Sequence, residues 1–382
     1  MFSAMIEGGR RICLADGYKA DELKRLRKEH VFYCPACCQQ LDLKVGDIRL
    51  HHFAHKPDSV CPVPHEPESR YHLKGKRLLY EWFKKEGLRP VVEPYLKRIR
   101  QRPDLLADEG ERKIAVEFQC ANLNHTEYRQ RSAGFLSIGI DPFWIIGGNR
   151  LKRLSNGFFQ LSGFHWQFSK GDVMPPRLVF FCPDQEAFLI LEHLVPFLTN
   201  KTSATSRMLP LRETRFRALR ASYPRSQKQL EGWKRNVQRF RMTPPRFLSK
   251  EAKQIAELFY ERFQIPLPFF PSEVFLPVSS GYMFAQPVYV WQGYLYAFFM
   301  KRPSFRIQSA VMYTNQLIRS NRLKLRWNKS EKAADAVSEY VRFLHEKGFF
   351  IKEKDLFFPS RPAPAEPRLE ELLKRDARYF SE

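Results

Sequence analysis

Residues Arg102 to Gln119 read Arg-Pro-Asp-Leu-Leu-Ala-Asp-Glu-Gly-Glu-Arg-Lys-Ile-Ala-Val-Glu-Phe-Gln, and this stretch restricts the architecture more than any other. Two short apolar runs flank a polar turn, which predicts a hairpin. In the second run, Lys113 to Gln119, strand alternation puts Ala115, Glu117 and Gln119 on one face. Asp104 enters from the neighbouring strand beside Pro103. Two carboxylates aimed at one point, with an amide two residues on, suit a metal ion and a water.

The flanking residues supply a frame for that hairpin. Glu68 to Glu86 has helical periodicity, with Leu73, Leu79, Trp82 and Phe83 apolar and Lys74, Lys76, Arg77, Lys84 and Lys85 on the remaining surface; Gly87 ends it. Glu68 and His72 stand one turn apart and can face one site, although an acid at a helix start is also favoured by the dipole alone. Val91 to Leu96, Pro103 to Ala107 and Lys113 to Gln119 read as strands. A helix over 124–137 and a buried strand from Asp141 to Gly147 follow. The order helix, three strands, helix, strand predicts an α/β core whose reactive groups gather on the central hairpin.

Upstream, a hairpin turning at Gly8-Gly9 and a charged helix from Asp21 to Glu29 carry no recognisable chemistry. Next come Tyr33-Cys34-Pro35-Ala36-Cys37, a short strand pair around Gly46-Asp47, and His51-His52-Phe53-Ala54-His55. Cys34 and Cys37 have the spacing of a tight knuckle, and His52 with His55, one helical turn apart or on a tight loop, can close a tetrahedron around structural zinc. His51, Cys38 or Cys61 can replace a ligand. Val60 to Pro67 reads as a linker.

The chain has 382 residues and a net charge of +23 with 14% aromatics, a balance that favours a polyanionic partner. Between Lys201 and Lys250 fourteen cations meet two acids. Arg215, Arg217, Arg220, Lys234, Arg235 and Arg239 are candidate phosphate contacts, with Phe216, Tyr223, Trp233 and Phe240 interleaved for base stacking. A solvated basic surface is the alternative. Seven cysteines without a signal sequence predict a reducing cytoplasm. Gly157 to Lys170 is expected to add strands and Arg177 to Cys182 to form one. Gln185 to Leu198 is expected as a helix, Glu251 to Phe263 as another, and Val288 to Phe298 as a hairpin turning at Gln292-Gly293 rather than a membrane span. Helices over Ser304 to Trp327 and Glu331 to Lys347, a proline linker from Pro359 to Pro367 and a last helix from Arg368 to Phe380 complete the chain. The expected domains are 1–62, a hairpin and zinc-binding module; 63–170, the α/β core; 171–358, a basic, aromatic, mainly helical region; and 359–382, a linker and terminal helix.

This order of elements, with Pro103-Asp104 and Glu117-Phe118-Gln119, resembles the PD-(D/E)xK nuclease superfamily and its restriction-endonuclease-like αβββαβ fold. Cys34-Pro35-Ala36-Cys37, His52-Phe53-Ala54-His55, Glu68-Ser69-Arg70-Tyr71-His72, Arg102-Pro103-Asp104, Glu117-Phe118-Gln119 and Phe143-Trp144-Ile145 together resemble the competence protein CoiA-like family. The resemblance covers residues 1 to about 170. It implies a Mg²⁺- or Mn²⁺-dependent deoxyribonuclease that processes or recombines DNA during natural transformation, with Asp104, Glu117 and the Phe118 carbonyl as metal ligands and Gln119 orienting water. Expected partners are DNA, single-stranded or in recombination intermediates, and recombination proteins, with no membrane insertion. Gln119 stands where the superfamily more often has lysine, so Glu68, His72 or Lys74 would supply the missing electrostatic help. The alternative is a catalytically weak or inactive DNA-binding recombination accessory.

Overall fold

The computed structural model describes the chain except residues 47–49, 58, 60, 62–67, 170–175, 328–329, 361–367 and 381–382, and the side chains of 330 and 331. The turn expected at Gly46-Asp47, most of the linker at 60–67 and that at 359–367 therefore fall largely outside the described residues.

Short strands with one buried face build the N-terminal module. β1 (Ser3–Met5) and β2 (Arg11–Cys13) form the expected hairpin, with Gly8 and Gly9 at positive φ in its turn. After α1 (Ala20–Glu29) come β3 (Phe32–Tyr33), β4 (Gln40–Lys44) and β5 (His52–His55). The sheet order is β2-β1-β3-β4-β5.

The second unit starts at α2 (Arg70–Lys85), capped by the Ser69 side chain accepting from the His72 N–H. β6 (Val91–Val92), β7 (Leu105–Asp108), β8 (Lys113–Gln119), α3 (His125–Ser137) and β9 (Ile140–Gly147) follow. This is the expected order of helix, three strands, helix, strand. β6, β7 and β8 run antiparallel, and α3 returns the chain so that β9 lies parallel to β8. Alternation along β8 gives each helix a face. Phe118 packs under α2, where a Cβ on Gly75 would meet its ring at 2.1 Å, while Ala115 packs with Phe135 of α3.

The sheet continues past residue 170. β10 (Lys152–Ser155), β11 (Phe158–Gln160), a short helix α4 (Gly163–Trp166), β12 (Leu178–Cys182), β13 (Ala187–Leu198) and β14 (Lys201–Pro210) extend it to nine strands, in the order β10-β11-β14-β13-β12-β9-β8-β7-β6. Gln185 to Leu198 is thus not the expected helix. β13 is an interior strand covered on both faces, so its apolar residues run almost without a break and the period is lost.

The C-terminal region contains α5 (Gln227–Met242), α6 (Lys250–Phe263), α7 (Val288–Phe299), α8 (Ile307–Arg319), α9 (Ser330–Glu346), the hairpin β15 (Phe350–Glu353) and β16 (Leu356–Pro359), and α10 (Leu369–Tyr379). The hairpin expected around Gln292-Gly293 is instead the central helix α7, buried over all 12 of its residues. Both supposed turn residues are packing devices. Gly293 lets α6 approach, since a Cβ there would meet Ile255 at 2.9 Å, and the Gln292 amide bonds both the N–H and the C=O of Leu276. The helix expected to reach Trp327 stops at Arg319, followed by Asn321 in the left-handed region. No described helix is long and apolar enough to cross a membrane. α10 packs back on α5, where the Arg241 guanidinium holds Asp376 through Nε at 2.6 Å, both fully buried.

Candidate catalytic centre and metal cluster

The β7–β8 register brings Leu105 opposite Val116, so Asp104 arrives alongside Glu117 as the sequence pattern predicts. Asp104 Oδ2 accepts from the Phe118 N–H at 2.9 Å and lies 3.2 Å from His72 Nε2. His72 of α2 stands four residues after Glu68, which precedes the helix, and the same spacing brings in a third residue, Lys76, only 1% exposed. Its Nζ sits 2.5 Å from Glu93 and 3.5 Å from Asp104, and pairs with Glu68. Glu93 is buried, and its other oxygen accepts the N–H groups of Phe2 and Ser3 at 2.9 and 3.1 Å. Glu68 also meets the Met1 amino group at 2.8 Å.

Glu117 is held from the opposite face by Arg131 of α3. Burial pushes its carboxyl up to about 7; Arg131 pulls the other way, and nearby Asp104 adds to the rise. Asp104 is also buried, which opposes its charge, but His72 and Lys76 outweigh burial and hold it well below the usual carboxylate range. Burial would equally strip Lys76, yet Glu68, Glu93 and Asp104 keep it protonated. Two neighbouring acids with ionisations driven apart are a common arrangement at reaction centres.

The sequence reading missed three participants. Lys76 was expected on the solvated face and Arg131 was not singled out. Glu93 was expected within a strand that in fact ends at Val92, where Glu93 turns to φ 50°. The four-residue spacing Glu68, His72, Lys76 was the available signal for one of them. Lys74 instead pairs with Asp184 at 2.8 Å, on an exposed surface. Gln119 donates its amide to Ala121 C=O at 3.0 Å, tying it to its own turn. Glu68, His72 and Asp104 offer donor atoms within 4.8 Å of one another.

In the N-terminal module, Cys34, Cys37, His55 and Cys61 offer donor atoms within 4.8 Å of one another. His52 is not among them. His52 and His55 lie on a strand, where a separation of three turns their side chains to opposite faces, and His52 Nδ1 is 2.9 Å from the Leu50 carbonyl. Cys61 takes the fourth place. Cys37 Sγ lies 3.3 Å from His55 Nε2, and the Ala36 N–H donates to Cys34 Sγ, as in a metal knuckle. Burial, with the thiols of Cys34 and Cys61 crowded beside it, pushes Cys37 up to about 12. Three thiols and an imidazole at this separation fit a tetrahedral N/S-binding ion.

The basic candidates do not gather at the carboxylates. Arg215 pairs with Glu86 at the C-terminal end of α2, a helix about 24 Å long whose other end carries His72. Arg220 pairs with Glu109 in the β7–β8 turn, at the opposite end of β8 from Gln119. Arg217 and Arg239 are exposed, Lys234 is half-buried, and Arg235 pairs with Glu231 on α5. Phe216, Trp233 and Phe240 are buried and Tyr223 lies under Arg207 at 3.6 Å, so these rings are not free for base stacking. At 233, 237 and 240 the core-facing period of α5 explains it.

Competence protein CoiA of Bacillus subtilis (strain 168) is 40% identical to this chain over 368 residues, 94% of this chain and 97% of the relative. The chain belongs to the CoiA family. The family model described as the CoiA nuclease-like domain matches residues 68–224, which hold Glu68, His72, Lys76, Glu93, Asp104, Glu117 and Arg131. The CoiA N-terminal domain matches 15–64 and holds Cys34, Cys37, His55 and Cys61; the CoiA C-terminal domain matches 229–366. No solved structure matches the chain.

Proposed function

We propose that this CoiA-family protein is a metal-dependent deoxyribonuclease with a restriction-endonuclease-like core, acting on DNA in competence. The observation that carries the reading is the cross-strand placement of Asp104 and Glu117 on adjacent strands, with ionisations pushed to opposite sides and a buried lysine on Asp104. Asp104 and Glu117 would hold Mg²⁺ or Mn²⁺, for which hard oxygen donors are suited, and the bound ion would activate water and offset charge on the phosphate. His72 and the Phe118 N–H fix the Asp104 carboxylate in place. Lys76 supplies from α2 the positive charge that Gln119 lacks. Arg131 reaches the Glu117 side of the pair and can release to a phosphate oxygen when a cation takes its place. Cys34, Cys37, His55 and Cys61 would hold a structural zinc, closed to substrate because all four positions are protein ligands.

The second reading, a DNA-binding accessory with little or no cleavage, is favoured by a specific observation. Both acids already have protein cations, Lys76 beside Asp104 and Arg131 on Glu117, so their convergence is stable without a metal.

Cleavage of labelled single-stranded and duplex DNA with Mg²⁺ or Mn²⁺ separates the two. On the first reading Asp104→Asn and Glu117→Gln each lower the rate by about two orders of magnitude or more while DNA binding persists. Wild-type binding with no cleavage under either ion selects the accessory; cleavage untouched by Asp104→Asn refutes the centre.

A further inference from the structure

The loop from Leu96 to Gln101 joins the turn at Glu93 to the strand that delivers Asp104. Residues 96–102 read Leu-Lys-Arg-Ile-Arg-Gln-Arg, four cations and no acid. It is a built loop. Leu96 and Gln101 pair in an antiparallel bridge, the Leu96 N–H donating to Gln101 C=O at 2.8 Å, and the N–H groups of Ile99 and Arg100 turn back to Leu96 and Lys97. Arg100 is held at φ 53°, a conformation that disfavours any residue with a side chain. Leu96 and Ile99 anchor the underside against Ala115, Phe135 and Ile140, and the Gln101 amide donates to the Gln130 carbonyl of α3. This fixes Lys97, Arg98 and Arg100 outward and exposed, and none is paired with a carboxylate among the described residues. A rigid cluster of like charge repels itself unless an anion meets it.

We infer that the 96–101 loop is a phosphate clamp that grips the backbone of a DNA strand beside the Asp104–Glu117 pair. The base of the loop stands beside the pair: Gln101 is three residues before Asp104, and the Gln130 carbonyl that its amide meets directly precedes Arg131, which holds Glu117. The partners of Arg215 and Arg220, Glu86 and Glu109, lie instead at the far end of α2 and in the β7–β8 turn. Its three exposed cations suit phosphate oxygens, and such contacts position a strand without carrying sequence information. The inference rests on DNA being the partner, as proposed above.

The test measures anisotropy of labelled single-stranded and duplex oligonucleotides over a salt series, with EDTA present so that nothing is cut. The variant is Lys97→Ala/Arg98→Ala/Arg100→Gly, the glycine suiting the left-handed φ so that the loop keeps its path. The control, Arg215→Ala/Arg217→Ala/Arg220→Ala, removes the same charge from the segment paired with Glu86 and Glu109 at the other end. The clamp variant should bind about ten- to a hundredfold more weakly, with a salt slope smaller by about two, and the control should stay near wild type. Equal losses in both variants, or unchanged binding in the clamp variant, overturn the clamp while leaving a DNA partner intact. Wild-type protein that binds neither oligonucleotide overturns the underlying reading as well, and poly-glutamate competing as effectively as DNA reassigns the loop to an acidic protein surface.

Discussion

Lys76 and Glu117 show how burial sets the chemistry of single residues. Lys76 is inside because three carboxylates surround it, and removing it alone strands them. Lys76→Met should cost about 3–5 kcal/mol of stability by urea unfolding. Adding Glu93→Gln should recover part of that loss; strictly additive costs would mean the pair is not coupled. Glu117 gives a pH signature. Its folded-state pKa of about 7 lies above the ordinary glutamate value, so the folded protein binds the extra proton between those limits. Stability from this group is therefore full at low pH and falls as pH rises through 7. In EDTA, wild type and Glu117→Gln should melt together near pH 4 and diverge by pH 8, with the variant higher, a gap on the order of a few kcal/mol. A wild type that melts higher at pH 8 would reverse the sign and place Glu117 in a more polar setting.

At the scale of elements, α2 is the piece on which the centre depends. It lies close enough to β8 for Lys76 to reach Asp104 because Gly75 carries no side chain over Phe118. Gly75→Ala should therefore lower stability by about 1–3 kcal/mol through overpacking, although alanine is the better helix former; a raised melting temperature would show that α2 can lift away at no cost. What the sequence made legible follows the same physics. The αβββαβ order was readable because β7, β8 and α3 each keep one polar boundary, and Asp104 beside Glu117 followed from strand alternation. Elements covered on all sides were not readable. β13 lost its period and α7 lost its amphipathic face, so a strand passed for a helix and a helix for a hairpin. At the centre, Lys76 was hidden because a lysine on a helix is ordinarily solvated, and Glu93 because its role depends on Phe2 and Ser3, some ninety residues away.

Across the whole molecule, the cysteine–histidine cluster and the carboxylate centre sit in separate sheets. Zinc content should stay near one per chain in His52→Ala and fall sharply in Cys61→Ser, measured by atomic emission on metal-loaded protein. Loss of the metal in His52→Ala would restore the ligand set expected from sequence. Hydrogen bonds nonetheless join the two sheets. The Phe2 and Ser3 amides end on Glu93, Ser3 Oγ donates to Val92 C=O, and Glu93 ends on Lys76. Strand β1 thus cannot separate from the core without exposing a buried carboxylate. The small sheet and the carboxylate centre should open as a single cooperative unit: in native-state hydrogen exchange the amides of Phe2, Ser3 and Phe118 should share one opening free energy, and loading the cysteine–histidine cluster with the proposed zinc should raise all three together.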